Sequence, residues 1–149
     1  MPSAENTVII NQPIGEVFAF FTNPDNDRKW RPHVKEISAQ GAPGVGSRIH
    51  QVVAGPGGRG IPADIEVTAY EPSSHYAFQV VAGPARPRGE FNCTSSGSDT
   101  RVAFTLATEL TGVKKLFMSR PVQSSMNGEV DALATAKTLL EQPEARPPT

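Results

Sequence analysis

Residues 7–37 read TVIINQPIGEVFAFFTNPDNDRKWRPHVKEI, and the turn chemistry of this stretch sets the frame for the rest of the chain. Thr7 to Gln12 is short and β-branched, which suits a strand. Pro13 stands where a helix can begin, because the N–H that proline lacks has no partner in a first turn. Ile14, Val17, Phe18 and Phe21 then recur at i, i+3, i+4 and i+7, so the spacing predicts an amphipathic helix with these four turned inward. It should stop near Thr22, since Pro24 pushes Asn23 out of helical geometry. Asp25 or Asn26 is placed to cap one more helical turn closing at Trp30, and Pro32 bars its continuation.

Beyond this corner, Val34 and Ile37 start a second strand, and the glycine-rich GAPGVG at 41–46 turns the chain into Ser47 to Ala54. Further strands are expected at Ile61 to Glu71, His75 to Ala82, Gly89 to Thr94 and Thr100 to Leu110, separated by turn residues, which is the pattern of an antiparallel meander. Tyr76, Phe78, Val80 and Ala82 fall on one face of their strand, as do Val102, Phe104, Leu106, Thr108 and Leu110 on theirs. After Gly112 the period becomes helical. Val113, Leu116, Phe117 and Met118 make a short apolar turn, Pro121 kinks or restarts the helix, and Val122, Met126, Val130, Leu133 and Leu140 continue it. A helix from Pro121 to Glu141 spans roughly 30 Å, enough to cross a sheet. Residues 143–149 lack large apolar side chains and read as a disordered tail.

Strands first and a long helix last make an α+β domain with its helices gathered on one side of an antiparallel sheet. At 149 residues the chain is expected to form a single domain, with a core over about 7–141. Fourteen basic against fifteen acidic residues give a net charge of -1, which argues against nucleic acid or anionic lipid as a partner. No run approaches the roughly 20 apolar residues of a membrane span, and the first residues do not read as a secretion signal, so a cytoplasmic location is expected. Cys93 has no histidine or basic neighbour to form a thiolate and reads as a buried small hydrophobe. The Asn92-Cys93-Thr94 glycosylation pattern carries no weight in a chain read as cytoplasmic.

The opening 7–37 segment resembles the start of SRPBCC proteins, the START-like polyketide cyclase/dehydratase and lipid-transport superfamily. So do VGSRI (45–49), DIEVTAYEPSSHYAFQV (64–80), DTRVAFTLATEL (99–110) and the terminal helix ending in TLLE. The resemblance implies a helix-grip fold: a curved seven-stranded antiparallel sheet wrapped around a long C-terminal helix, with two short helices after the first strand. It also implies an internal cavity for a lipid, polyketide or other hydrophobic compound, and no cofactor.

In such a cavity Trp30, Phe78, Phe91, Phe104, Met118, Met126 and Val130 are the candidate ligand contacts, and the adaptable methionines on the helix favour a tolerant apolar site. Catalytic signatures are missing from the sequence, and His33, His50 and His75 lack the spacing of a metal site. GPGGRG at 55–60 lacks the Lys-Ser/Thr pair of a phosphate loop and reads as a hairpin gating the cavity mouth. The first functional reading is therefore a binder or carrier of a small hydrophobic molecule. An alternative is a cyclase or dehydratase with His33 or His50 as general base, for which Arg48, Asp64, Tyr70 and Glu90 are further inward-facing candidates. Asp64 belongs to the Asp64, Glu66, Thr68 row that alternates like a solvent-facing edge. A third reading is a protein-interaction module with a filled cavity, and a homodimer is compatible with the sequence.

Overall fold

The structure, a computed structural model, describes residues 3–40, 44–83, 86–110 and 112–142. Expectations for the 143–149 tail and for the side chains of Val113 and Leu116 lie outside the described residues. The first strand, β1 (Ser3–Ile10), begins four residues earlier than its β-branched core suggests, because it pairs along its whole length with β8 (Asp99–Ala107), from Ser3 opposite Ala107 to Ile10 opposite Thr100. Pro13 caps α1 (Ile14–Thr22), whose Val17, Phe18 and Phe21 are buried with Ile14 packed partly against the same core. The corner is capped one turn earlier than expected. Asn23, held extended ahead of Pro24, accepts the N–H of Asp25 on its Oδ1 at 3.1 Å, and a single turn at Pro24–Asn26 leads into α2 (Asp27–Trp30).

Five further strands run through the middle of the chain: β2 (Val34–Gln40), β3 (Arg48–Ala54), β5 (Ile65–Glu71), β6 (His75–Val80) and β7 (Arg88–Ser96). The short β4 (Gly60–Pro62) turns back on β3. The eight described strands form one curled antiparallel sheet, seven of them in the order β1-β8-β7-β6-β5-β3-β2 and β4 paired with β3 off that path. Register shifts at Val34/Glu36 and Val67/Ala69 insert the irregularities that bend such a sheet.

The single strand expected over Ile61 to Glu71 is two. At the break the Asp64 carboxylate takes a ladder position, its Oδ1 accepting the Gln51 N–H at 3.2 Å. Alternation on β8 matches the pattern read from the sequence, with Val102, Phe104 and Leu106 buried; on β6 Tyr76 and Val80 are buried and Phe78 half-buried, and the strand ends at Val80, short of Ala82. Thr108 and Leu110 are buried too, although β8 has ended at Ala107. Gly89 lies against Phe78 and Leu106; a Cβ there would sit 2.4 Å from Phe78 Cζ, so the missing side chain is what lets the Phe78 ring lie on the sheet.

The C-terminal helix starts earlier than Pro121. α3 (Gly112–Asp131) contains that proline, and α4 (Leu133–Glu141) follows after Ala132. The proline is tolerated because Phe117, whose carbonyl loses its amide partner, and Pro121 are both exposed, so water can serve that carbonyl. At Ala132 the ladder continues, with its N–H donating to Gly128 O at 3.1 Å and its own carbonyl accepting from Ala136 at 3.2 Å. Three side-chain amides tie this helical path to the edge strand and its exit. Gln123 pairs with the Ser3 backbone, Asn6 Nδ2 donates to Val130 O at 2.9 Å, and Gln12 Nε2 donates to Leu140 O at 2.7 Å. Among the described residues no helix is long and apolar enough to cross a membrane.

Candidate functional site

Between the inner face of the sheet and α3 the side chains leave a cavity of about 650 Å³. Its deep wall is aromatic. Phe91 stacks on Phe104 at 4.2 Å between ring centroids and on Phe21 at 5.0 Å, and Trp30 meets Phe21 edge-on at 5.4 Å. Exposed lining residues mark the mouth: Ala54 and Pro62 on the β3–β4 hairpin face Pro121, Ser124, Ser125 and Gly128 on α3. The GPGGRG segment therefore closes a hairpin at the rim, and Gly57 and Gly58 both take positive φ in its turn, which a side chain would strain.

Six of the seven residues expected at a ligand line this space: Trp30, Phe78, Phe91, Phe104, Met118 and Met126. Val130 does not. It is buried, at 3% exposure, but on another face of α3, with its carbonyl bonded to Asn6. The helical stripe facing the cavity runs Met118, Val122, Ser125, Met126, Glu129, and the step from Glu129 to Val130 rotates about 100° away from it.

At that stripe's end lies a polar cluster that the sequence reading missed. Arg31, 8% exposed at the C-cap of α2, sends Nε and Nη2 to the two oxygens of Glu129, each at 2.8 Å. Its Nη1 donates to Asp27 Oδ2 at 2.8 Å and to Gln51 Oε1 at 3.2 Å. His33 Nε2 also bonds Glu129. One guanidinium thus joins the corner, the sheet and the long helix across 98 residues of sequence. All five side chains line the cavity. The readable part of this signal was the Asp27–Arg31 spacing of four, which on an exposed helix means only a weak solvated pair.

The two carboxylates have opposite titration. Burial pushes Asp27 up from 3.8 to about 6, a rise that the single Arg31 contact opposes and the nearby Glu129 charge adds to. Burial also disfavours the Glu129 carboxylate, but the paired Arg31 contacts and the His33 bond outweigh it and hold that group at about 2. Arg31 is itself raised: burial alone would lower it, and the two carboxylates more than compensate. Burial raises the Tyr76 phenol, with Asp27 adding to the effect, so that hydroxyl keeps its proton.

The other ionisable candidates lie elsewhere. His50 is absent from the cavity lining and pairs with Asp64 at 2.9 Å and Glu36 at 3.8 Å, with 42% of its side chain exposed. Arg48 meets Glu66 at 3.5 Å on the surface, and Glu90 meets His75 at 2.8 Å. Tyr70 packs edge-on against Phe18 at 5.6 Å beside a second space of about 510 Å³ under α1. That space shares Pro24, Ile49 and Tyr76 with the first. Cys93 is buried, and burial pushes its thiol up to about 11. Among the described residues no three His, Cys, Asp or Glu side chains are grouped to hold a metal ion.

Comparison with known proteins supplies the context for this geometry. The family described as polyketide cyclase/dehydrase and lipid transport matches residues 1–137. TTHA0849 from Thermus thermophilus superposes with a TM-score of 0.78 at 19% identity, over 93% of this chain and 97% of that one. A START superfamily protein from Mycobacterium smegmatis gives 0.76 at 13% identity, over 94% and 97%. CalU16 from Micromonospora echinospora gives 0.65 at 18% identity, over 95% and 77%. At these identities the likeness is one of fold. No curated protein matches the chain significantly.

Proposed function

The chain belongs to the polyketide cyclase/dehydrase and lipid transport family, and from that premise we propose that it binds or carries a small, mainly apolar molecule, lipid or polyketide-like, in the cavity between sheet and α3. The observation that carries this reading is the cavity itself. Its volume of about 650 Å³ falls within the range of ligand sites, its walls are largely apolar, and a few polar groups are gathered at one place. Trp30, Phe78, Phe91, Phe104, Met118 and Met126 supply the apolar contact in this proposal. The reading as an interaction module called for side chains that fill this volume.

Occupancy should be visible as stability. A ligand present at about 100 times its Kd adds about 2.7 kcal/mol to the unfolding free energy, which for a domain of this size raises Tm by about 5–10 °C. Native mass spectrometry of protein purified from its own host should show the adduct directly. An apoprotein mass, with no uptake of the neutral dye Nile red and no Tm rise across an apolar ligand series, would overturn the proposal.

One observation favours a second reading, an enzyme of the cyclase or dehydratase type. His33 lines the cavity with Nε2 held by the Glu129 carboxylate, the arrangement that orients a histidine as a general base, and its Nδ1 is bonded to none of the described residues. The readings part on turnover: as a base, His33 is needed for product formation and dispensable for binding, so His33→Ala separates them.

A further inference from the structure

Polar groups that a protein leaves unpaired on a cavity wall describe the ligand they await, because a buried donor without a partner is costly unless something binds it. Gln51 is such a group. It is 3% exposed, it lines the cavity, and its amide orientation is dictated by Arg31, which can only donate and therefore takes Oε1. The Nε2 end is left to face elsewhere, and it donates to none of the described residues. It is not sealed in the core either: the sealed side-chain atoms without a partner among the described residues are Gln12 Oε1 and Trp30 Nε1. The surface that Nε2 retains is thus the surface it presents to the cavity. Tyr76 is also 6% exposed and on the cavity wall, but it lies on β6 with β5 between it and Gln51, and it borders the second space as well. Its hydroxyl is bonded to none of the described residues and feels the charges of Asp27 and Arg31.

The charge around these donors decides what they can receive. The carboxylates, cations and histidines on the described lining are Asp27, Arg31, His33 and Glu129. Arg31 is committed to two carboxylates and to Gln51. One cation against two anions leaves the cluster at -1 when His33 is neutral, so an incoming carboxylate or phosphate finds no free cation and meets like charge in a desolvated site. An ammonium brings no acceptor for Gln51 Nε2 and has to compete with Arg31 for Asp27.

Resting on the binding proposal above, we infer that the ligand is an uncharged molecule with a hydrogen-bond-accepting oxygen, a ketone or ester-type carbonyl, on an apolar frame, and that Gln51 Nε2 binds that oxygen. Fatty acids and phosphorylated lipids fall outside this class.

The test is displacement of bound Nile red, at about pH 8, by a ten-carbon methyl ketone and by the carboxylate, amine and alkane of the same length. The ketone should bind at least about tenfold more tightly than the other three, since each of them lacks either the acceptor or the neutrality. Gln51→Met should bring the ketone close to the alkane, each affinity being corrected for the variant's own, weaker, Nile red binding. A carboxylate or amine equal to or tighter than the ketone on the wild-type protein overturns the inference and leaves cavity binding intact. A ketone advantage undiminished in a folded Gln51→Met protein removes Gln51 from the recognition. If Nile red fails to bind the wild-type protein and none of the four probes raises its Tm, the binding proposal itself fails.

Discussion

Glu129→Ala should lower the unfolding free energy by about 3–5 kcal/mol at neutral pH, read as a fall in the urea midpoint at constant m-value, because it strands Arg31 with half its compensation. Glu129 accepts two of the guanidinium's hydrogen bonds at 2.8 Å and holds His33 as well, and Arg31 is 8% exposed, so water cannot take over. Asp27→Asn should behave oppositely. Asparagine can still accept from Arg31 Nη1, and it removes a carboxylate whose burial has raised it to about 6. A rise of roughly two pH units corresponds to about 3 kcal/mol, so Asp27→Asn should be neutral or stabilising by up to that amount near pH 8.

The same two groups set a pH window. Asp27 is raised when folded, so its contribution is complete below about pH 4 and is lost as pH climbs through 6. Glu129 is depressed, so its contribution is complete above about 4.5 and is lost as pH falls toward 2. Their joint contribution is greatest at about pH 4, where the Glu129 contribution is nearly complete and the Asp27 contribution has only begun to fall, and Asp27→Asn should abolish the loss on the alkaline side. Equal costs for the two variants at neutral pH would contradict this division of the cluster.

Phe104→Ala is expected to cost about 3–5 kcal/mol, at the upper end of that range. The ring is 2% exposed, stacks on Phe91 at 4.2 Å and lies 6.2 Å from Trp30. Its strand is hydrogen-bonded on both sides, to β1 and β7, so the backbone cannot close over the gap. The space opened joins the cavity already present. Met118, half-buried on the rim, offers the contrast: Met118→Ala should cost about 1 kcal/mol. Urea unfolding of the two variants side by side checks the ranking. Similar costs would mean that the aromatic wall is not the stabilising side of the cavity.

Much of this architecture can be read locally. Pro13 and Pro24 bracket α1, the alternation on β8 identifies the inner face, and the aromatic wall follows from which side of each strand is apolar. These are short-range facts, since backbone sterics act between neighbours and side-chain direction repeats every two or 3.6 residues. What local rules misjudged depended on a partner far away. Asp64 interrupts a β-branched run because its carboxylate serves Gln51 on another strand. Val130 keeps the apolar helical pattern but lies off the cavity-facing stripe, buried and with its carbonyl bonded to Asn6 of β1, because the roll of α3 is set by what it packs against.

The sequence alone determined the main order of elements and the apolar face of the sheet, since each follows from periods and turn chemistry within one segment; the cavity came from the family resemblance, and six of the seven residues expected at it line it, Val130 excepted. The tertiary structure alone decided that Arg31, Asp27, Gln51, His33 and Glu129 form one cluster, and that Gln51 Nε2 donates to none of the described residues. Pairing over 98 residues leaves no periodic trace in a chain, because the energy of a buried ion pair depends on distance in space and on exclusion of water, and neither exists before the fold closes.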